Sequence, residues 1–288
     1  MKVIQQNSKP TTSSIILNNL LAELGYSDIK DYQSRNGLKV DGQFGDKSFN
    51  LLYHTLLKVI DVSFEGSYHK SIHQKNQIIW HHSAGWDNAR GMFKSWQNDN
   101  KEHVATAIGI NDKGEVYRGF DEQYWASSIG CKQDSFNNWD IKPIKVTIDG
   151  RVYTNNSLLD AGAVGVEVCN AGQLTKKAGD YYSWFGWKVP SDKIIELDYK
   201  GYTAFEKYTN KEINTLKYWT LLMGVKFNIP VNYREESMWS VSRRALSGEP
   251  GLYTHNSYRE DKTDVSPQPH LIEMARTLDL YMQPKMIV

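Results

Sequence analysis

A long amphipathic segment, residues 210–227, constrains the fold of this chain more than any other stretch. Thr209 and Glu212 have the spacing of a capping box, in which each side chain bonds the other's backbone at the start of a helix. Pro230 stands just beyond the segment, where a helix must end. The pattern predicts a helix with one buried face, which needs a sheet or other helices to pack on. Its apolar positions are Ile213, Leu216, Trp219, Met223 and Phe227.

Short apolar segments predict the strands on which this helix packs. Residues 77–80 and 163–169 are two of them, and residues 104–110 and 115–120 are predicted to form a hairpin. Residues 91–103 have a helical pattern between them. This alternation predicts fold class α/β, with a mixed central sheet flanked by helices and preceded by a small all-α module of three helices.

Two of these strands carry polar side chains that packing does not explain. Glu167 lies inside an apolar strand, where a carboxylate is costly unless it has a partner. We therefore predict that Glu167 is either ion-paired or functional. His81 and His82 follow directly on the strand 77–80, and side chains at a strand end face the edge of the sheet where ligands are held.

The first sixty residues are predicted to form the small helical module. A leucine-rich helix capped by Ser13 or Ser14 is followed by a helix over residues 28–35 and by a third helix that runs from Asp46 to Ile60. Three helices of this size are marginal for independent folding.

Residues 61–76 separate this module from the main domain, which is predicted to span residues 77–288. The segment is polar and has no clear period, so it is predicted to be a linker. His69 and His73 within it have the spacing of one helix face, which suits either a metal site or a solvated pair; the solvated pair is the favoured interpretation.

Composition excludes several classes of function. With 34 Lys and Arg against 33 Asp and Glu, the formal net charge of +1 argues against a nucleic-acid-binding protein. Two distant cysteines make no disulfide framework, and no stretch is apolar enough to span a membrane. The first residues lack the apolar run of a signal peptide, so synthesis in a cytoplasm without an export signal is expected.

The polar loop of residues 254–264 contains His255, Lys262 and Asp264. Imidazole and carboxylate groups are good zinc ligands, and a lysine beside them places a positive charge near an ion. Such loops are often merely solvated. A metal site is indicated here because His81 offers a further ligand at a strand end and Glu167 offers an acid.

Several motifs follow one another between residues 77 and 280. In order they are IIWHHSAG, HVATAIGINDKGEVYRGF, SIG, VGVEVCN, and His255 with Lys262-Thr263-Asp264. Together they resemble the zinc-dependent N-acetylmuramoyl-L-alanine amidases, the group that includes phage lysozyme-type amidases, recycling amidases and peptidoglycan recognition proteins. Residues 24–48, with LGY, YQ and the run from Asn36 to Ser48, resemble the three-helix peptidoglycan-binding module.

The resemblance implies a role for individual residues. His81, His255 and Asp264 match the zinc ligands, so Zn²⁺ is the implied cofactor. Glu167 and Lys262 match the catalytic pair that transfers a proton and stabilises the oxyanion, and their roles could be exchanged. His82 falls at a position where members vary and is taken either as structural or as a side chain that supports the ligands.

Three departures concern substrate contacts rather than the metal set. Residues 105–107 lack the tyrosine that some members have, residues 125–128 lack a histidine that many have, and the loop from His255 to Asp264 is one residue shorter than in recycling amidases. Residues 131–162 and 171–207 have little periodicity and are predicted to be surface insertions that shape a groove.

The implied function is a peptidoglycan hydrolase that cleaves the amide between N-acetylmuramic acid and L-alanine. A wall substrate without an export signal favours a phage or prophage endolysin that is released by a holin-like partner. The alternatives are a cytosolic recycling amidase, an exported antibacterial effector and a non-catalytic peptidoglycan recognition protein.

Overall fold

A mixed sheet lies at the centre of the protein in a computed structural model, which describes residues 1–6, 9–85, 87–99 and 103–284. The strands in chain order are β1 (Ile4–Gln5), β2 (Gln43–Phe44), β3 (Lys58–Asp61), β4 (Gln77–His82), β5 (Ile108–Ile110), β6 (Glu115–Arg118), β7 (Lys145–Ile148), β8 (Arg151–Thr154), β9 (Ala163–Val168), β10 (Thr175–Lys177), β11 (Asp180–Tyr182), β12 (Ile194–Tyr199), β13 (Tyr202–Glu206) and β14 (Gly251–Thr254).

The helices pack around this sheet, and short 3₁₀ turns occupy Ser191–Lys193 and His255–Ser257. In chain order the helices are α1 (Thr12–Glu23), α2 (Ile29–Arg35), α3 (Asp46–Leu56), α4 (Ala89–Asn98), α5 (Gln133–Asn137), α6 (Asn155–Gly162), α7 (Asn210–Phe227), α8 (Glu236–Trp239), α9 (Arg243–Leu246) and α10 (Pro269–Tyr281). Within the described ranges, none of them is long and apolar enough to cross a membrane.

The strand order of the central sheet is β14-β4-β9-β5-β6-β3. Only β5 and β6 pair antiparallel within it, while the other neighbours run parallel. Helix α7 packs on one face of the sheet, where the Trp80 indole N–H donates to Thr220 Oγ1 at 2.9 Å. Helices α1 and α10 pack against α7. The predicted α/β class with a mixed, helix-flanked sheet is confirmed.

Helix α7 matches its prediction from Asn210 to Phe227, with the capping box of Thr209 and Glu212 in place. Other boundaries differ from the predicted ones. Strand β4 continues through His81 and His82, and the predicted helix over residues 91–103 is α4, which begins at Ala89 and ends at Asn98. Residues 100–102 of that prediction lie outside the described residues.

The N-terminal segment has the three predicted helices and one small addition, the antiparallel pair of β1 and β2. The third helix is shorter than predicted, because the chain becomes extended at Leu57 and residues 58–61 form β3. Val59 and Ile60 are β-branched and suit a strand. Since β3 pairs with β6, the first sixty residues contribute an edge strand to the central sheet.

Residues 61–76, predicted to be a linker, pack against the rest of the protein. Val62 and Phe64 are buried, and the buried Lys75 ammonium donates to the backbone carbonyls of Tyr124 and Ala161, both at 2.9 Å. In a solvated linker these side chains would be exposed to water, so residues 61–76 are not a linker of that kind. The division of the chain into two functional domains stays a prediction.

A buried ion pair also fastens α3 to the main domain. Glu122 accepts a hydrogen bond from Tyr53 on α3 at 2.7 Å and another from the Lys226 ammonium on α7 at 2.9 Å. The Glu122 side chain is 2% exposed and that of Lys226 is 16% exposed. The two segments therefore share one charged network in the protein interior.

Replacing Lys226 by methionine is expected to lower the free energy of unfolding by about 3–5 kcal/mol, because Glu122 is then buried without its counter-charge. Urea denaturation measures this loss. The matched control is Lys211→Met at an exposed position of the same helix, which should change stability by less than about 0.5 kcal/mol. Equal losses in the two variants would mean that the buried pair contributes nothing specific.

Candidate metal centre

His81, His255 and Asp264 meet at one edge of the central sheet, and all three are buried. His81 lies near the carboxyl end of β4, and His255 directly follows β14, the parallel neighbour of β4. Carboxyl ends of parallel strands lie at the same edge, so the topology brings both rings together. Asp264 reaches them from the end of the loop that follows His255.

The three ligand atoms have the spacing of a tetrahedral metal site. His81 Nδ1 lies 3.2 Å from His255 Nδ1 and 3.5 Å from Asp264 Oδ2, and His255 Nδ1 lies 2.9 Å from that oxygen. Zinc bonds of 2.0–2.1 Å at tetrahedral angles separate ligand atoms by about 3.3 Å. The residues therefore fit a divalent ion of this kind, and the group could hold a metal.

Protonation supports the same conclusion. His255 Nε2 lies 2.7 Å from the Ile129 carbonyl oxygen, which can only accept, so Nε2–H donates to it and Nδ1 is the nitrogen that faces the other two ligand atoms. Burial lowers the pKa of His81 to about 4, which favours the neutral ring with a free nitrogen lone pair. Two imidazole nitrogens and a carboxylate oxygen thus face one another, an arrangement that a cation would stabilise.

Asp264 is held in its ionised form. Burial opposes ionisation of this carboxyl, but in the metal-free site a ring N–H of His255 or His81 that faces it outweighs burial and keeps its pKa well below the usual range; a bound cation would supply positive charge in its place. A carboxylate that is charged at neutral pH is ready to bind a metal without first losing a proton.

Glu167 lies beside this group. It is the register partner of His81 on the adjacent parallel strand β9, so the two side chains leave the same face of the sheet. Its Oε2 atom is buried and has no hydrogen-bond partner among the residues that the structure describes. Burial raises the pKa of Glu167 well above its usual value; the charge of Asp264 raises it further, and Lys262 lowers it.

Lys262 is half-buried in the loop that joins His255 to Asp264. Its charge acts on the pKa of both Glu167 and His81, which places it near the two strands that carry them. Of the five residues singled out in the sequence, His81, His255 and Asp264 meet at one point, Glu167 lies beside His81 on the adjacent strand, and Lys262 is close enough for its charge to act on the site. A raised carboxyl pKa next to a metal-binding group is what proton transfer near neutral pH requires.

His82 does not belong to this group. Its ring lies on the opposite face of β4 from His81, and its Nδ1 is 2.8 Å from the Tyr208 hydroxyl. A Cβ at position 172 would lie 2.5 Å from His82 Nε2, so glycine is required there to make room for the ring. The structural role expected of His82 agrees with this packing.

The sequence did not reveal Asp160, which positions the partner of His255. Helix α6, at the end of the insertion 131–162, carries this buried carboxylate. Asp160 Oδ1 accepts from the backbone N–H groups of Ser128 and Ile129, both at 3.0 Å. These two bonds hold the backbone at Ile129, and the Ile129 carbonyl accepts the hydrogen bond from His255 Nε2–H. No sequence pattern signals a contact made through backbone atoms.

Replacing Asp160 by alanine is expected to weaken metal binding by about tenfold, the lower end of the loss that follows removal of a direct partner of a metal-bound histidine, because the Ile129 carbonyl remains but is less firmly placed. Asp160→Asn keeps an oxygen that can accept both backbone bonds and is expected to stay within a few-fold of the parent. Competition with a chelator of known affinity measures both values. A folded alanine variant with the parent's Kd for zinc would contradict this role.

No family model and no curated protein matches the sequence. Among solved structures, the protein is similar to the endolysin N-acetylmuramoyl-L-alanine amidase LysCS from Clostridium intestinale URNW, with 13% identity over 77% of this chain and 95% of that chain and a TM-score of 0.39. It is also similar to PlyL, with 15% identity over 79% of this chain and 94% of that chain and a TM-score of 0.39.

A selenomethionine derivative of AmpD shows the same level of likeness, with 12% identity over 77% of this chain and 94% of that chain and a TM-score of 0.38. LysCS is named an amidase of the class that the sequence motifs resemble. The activity is inferred from the residues of the site.

Proposed function

We propose that the protein is a zinc-dependent N-acetylmuramoyl-L-alanine amidase that hydrolyses the amide between N-acetylmuramic acid and L-alanine in peptidoglycan. The observation that supports this most is the buried group of His81, His255 and Asp264 with the unpartnered Glu167 oxygen beside it. Three protein ligands leave one position open, which distinguishes a catalytic zinc site from a structural one. The sequence motifs supply the substrate class.

His81, His255 and Asp264 hold the ion in this proposal. Bound zinc supplies a Lewis acid and lowers the pKa of water. Glu167, whose pKa is raised by burial, accepts a proton from the attacking water and delivers it to the amine that leaves. Lys262 contributes a positive charge that stabilises the oxyanion formed on the scissile carbonyl. The two residues differ in chemistry, so this division of roles is testable by substitution.

The biological setting belongs to the same proposal. The likeness of residues 24–48 to a wall-binding module favours action on the cell wall over recycling of soluble fragments. We propose a phage or prophage endolysin made in the host cytoplasm, with peptidoglycan as its partner and release that depends on a holin-like protein.

Purified protein incubated with bare sacculi tests the reaction. Amide hydrolysis should release new amino groups on L-alanine without new reducing ends, and removal of metal by a chelator should stop it until zinc is restored. New reducing ends would indicate a glycosidase instead. Turnover that persists after metal removal would rule out the zinc mechanism.

The same assay distinguishes a non-catalytic recognition protein. Such a protein would bind sacculi and sediment with them but release no amino groups at any zinc concentration. A binder has no use for an open metal position or for a buried, unpartnered carboxyl oxygen beside it.

A further inference from the structure

One side chain from outside the loop that carries Lys262 and Asp264 makes three hydrogen bonds to it. Lys200 Nζ donates to the Lys262 carbonyl at 2.7 Å, to the Glu260 carbonyl at 3.0 Å and to Asn256 Oδ1 at 3.1 Å. An ammonium group has three protons to donate, so these bonds use its full capacity. All three acceptors lie between His255 and Asp264.

Lys200 comes from the insertion 171–207, which is not a loose surface excursion. Its second hairpin pairs β12 with β13, and Tyr199 and Tyr202 are register partners across the turn. The Tyr199 hydroxyl donates to the Trp239 carbonyl at 2.7 Å, which attaches the hairpin to α8. The tip of the hairpin is thus anchored on both sides, to the body of the protein and to the loop.

The turn itself is an unusual place for lysine. Lys200 has φ +50° and Gly201 has φ +80°, as the two-residue type I′ turn requires. Asparagine or glycine is preferred at the first of these positions, because a side chain with a Cβ is disfavoured in the left-handed region. Lysine is less stable than asparagine or glycine in this backbone conformation, and its three hydrogen bonds to the loop offset that cost.

The other end of the insertion contacts the same loop. Thr263, which lies between Lys262 and Asp264, donates its hydroxyl to Gln173 Oε1 at 2.7 Å. Within the loop, the backbone bond from Lys262 N to Arg259 O is long, at 3.4 Å. Side chains of the insertion therefore add to the bonds that the loop makes within itself, such as the one from Asn256 Nδ2 to the Val265 carbonyl at 2.9 Å.

We propose that Lys200 is a positioning residue that holds the loop 255–264 so that Lys262 and Asp264 keep their places at the metal centre. The catalytic role of Lys262 rests on the function proposed above, whereas the proposal that Lys200 orders the loop does not. In this view the insertion is part of the active-site structure, and its hairpin tip acts as a brace.

Lys200→Asn is the sharpest test, because asparagine suits the turn better than lysine but cannot reach the loop. Hydrogen exchange of the loop amides is expected to accelerate roughly 10- to 100-fold, as expected for a segment that loses several hydrogen bonds, while exchange in α7 stays unchanged. Zinc affinity is expected to fall about tenfold, and kcat on peptidoglycan about tenfold with KM nearly constant.

Two further variants complete the test. Lys177→Met, at an exposed position on β10 of the same insertion, should leave exchange, zinc affinity and kcat at parent values. Lys200→Arg, which keeps donors and charge, should restore part of the loop protection.

If the amides of the loop in Lys200→Asn exchange hydrogen at the parent's rate and zinc binds equally well, Lys200 does not position the loop. If the loop loosens and zinc binding weakens, but neither protein cleaves the wall, the brace stands and the proposed function fails. Faster exchange throughout α7 would assign Lys200 to general stability and would also overturn the proposal.

Discussion

Replacing His255 by alanine is expected to weaken zinc binding roughly 100- to 1000-fold and to reduce amidase activity to that of the metal-free protein. A zinc site with four protein ligands contributes about 10–16 kcal/mol, or roughly 2.5–4 kcal/mol for each ligand. His255 contacts both other ligands and has its proton placed by the Ile129 carbonyl, so no neighbouring group can replace it. Zinc content by mass spectrometry and chelator competition measure the loss.

His82→Ala is the matched control for this variant. Both histidines are buried and both sit at the same edge of the sheet, but the His82 ring bonds to Tyr208 on the opposite face. This substitution is expected to lower the free energy of unfolding while zinc affinity stays within a few-fold. If His82→Ala releases the metal and His255→Ala retains it, the assignment of ligands is wrong.

Capping residues and the spacing of apolar residues predicted the helix and strand that depend mainly on their own sequence. The capping box and apolar spacing predicted α7 to the residue, and the apolar character of residues 163–169 predicted the strand that carries Glu167. Parallel pairing of β4 with β9 and β14 then puts Glu167, His81 and His255 at one edge. The motif resemblance named Asp264 and Lys262, which lie in a loop without periodicity.

The features that the sequence did not predict depend on contacts between residues far apart in the chain. Residues 58–60 are predicted to continue the third helix, but together with Asp61 they form β3 because β6 offers an edge to pair with. Asp160 and Lys200 lie in insertions without a period, and each acts on backbone atoms of a loop more than thirty residues away in sequence. Backbone N–H and C=O groups are the same at every such position, so sequence alone could not connect Asp160 and Lys200 to the site.

The second large effect is expected for Glu167→Gln. Glutamine has nearly the same shape but cannot accept a proton, so kcat should fall about 100- to 10,000-fold, the range that general acid–base catalysis contributes. Zinc affinity should remain close to the parent value, because Glu167 is not one of the three converging ligands. Steady-state rates on muropeptides and chelator competition give the two numbers. Loss of metal together with activity would make Glu167 a ligand instead.

Stability of the metal-free variant provides an independent check. Burial raises the pKa of Glu167 in the folded protein above its value in the unfolded chain, so ionisation disfavours folding once the pH exceeds the unfolded value of about 4.3. The parent therefore loses stability through this group as the pH rises, and glutamine removes that loss. The Tm of Glu167→Gln should exceed that of the parent at pH 8 by more than at pH 4. A difference independent of pH would show that Glu167 is not held in a site that favours its protonated form, and proton transfer by this residue would lose its physical basis.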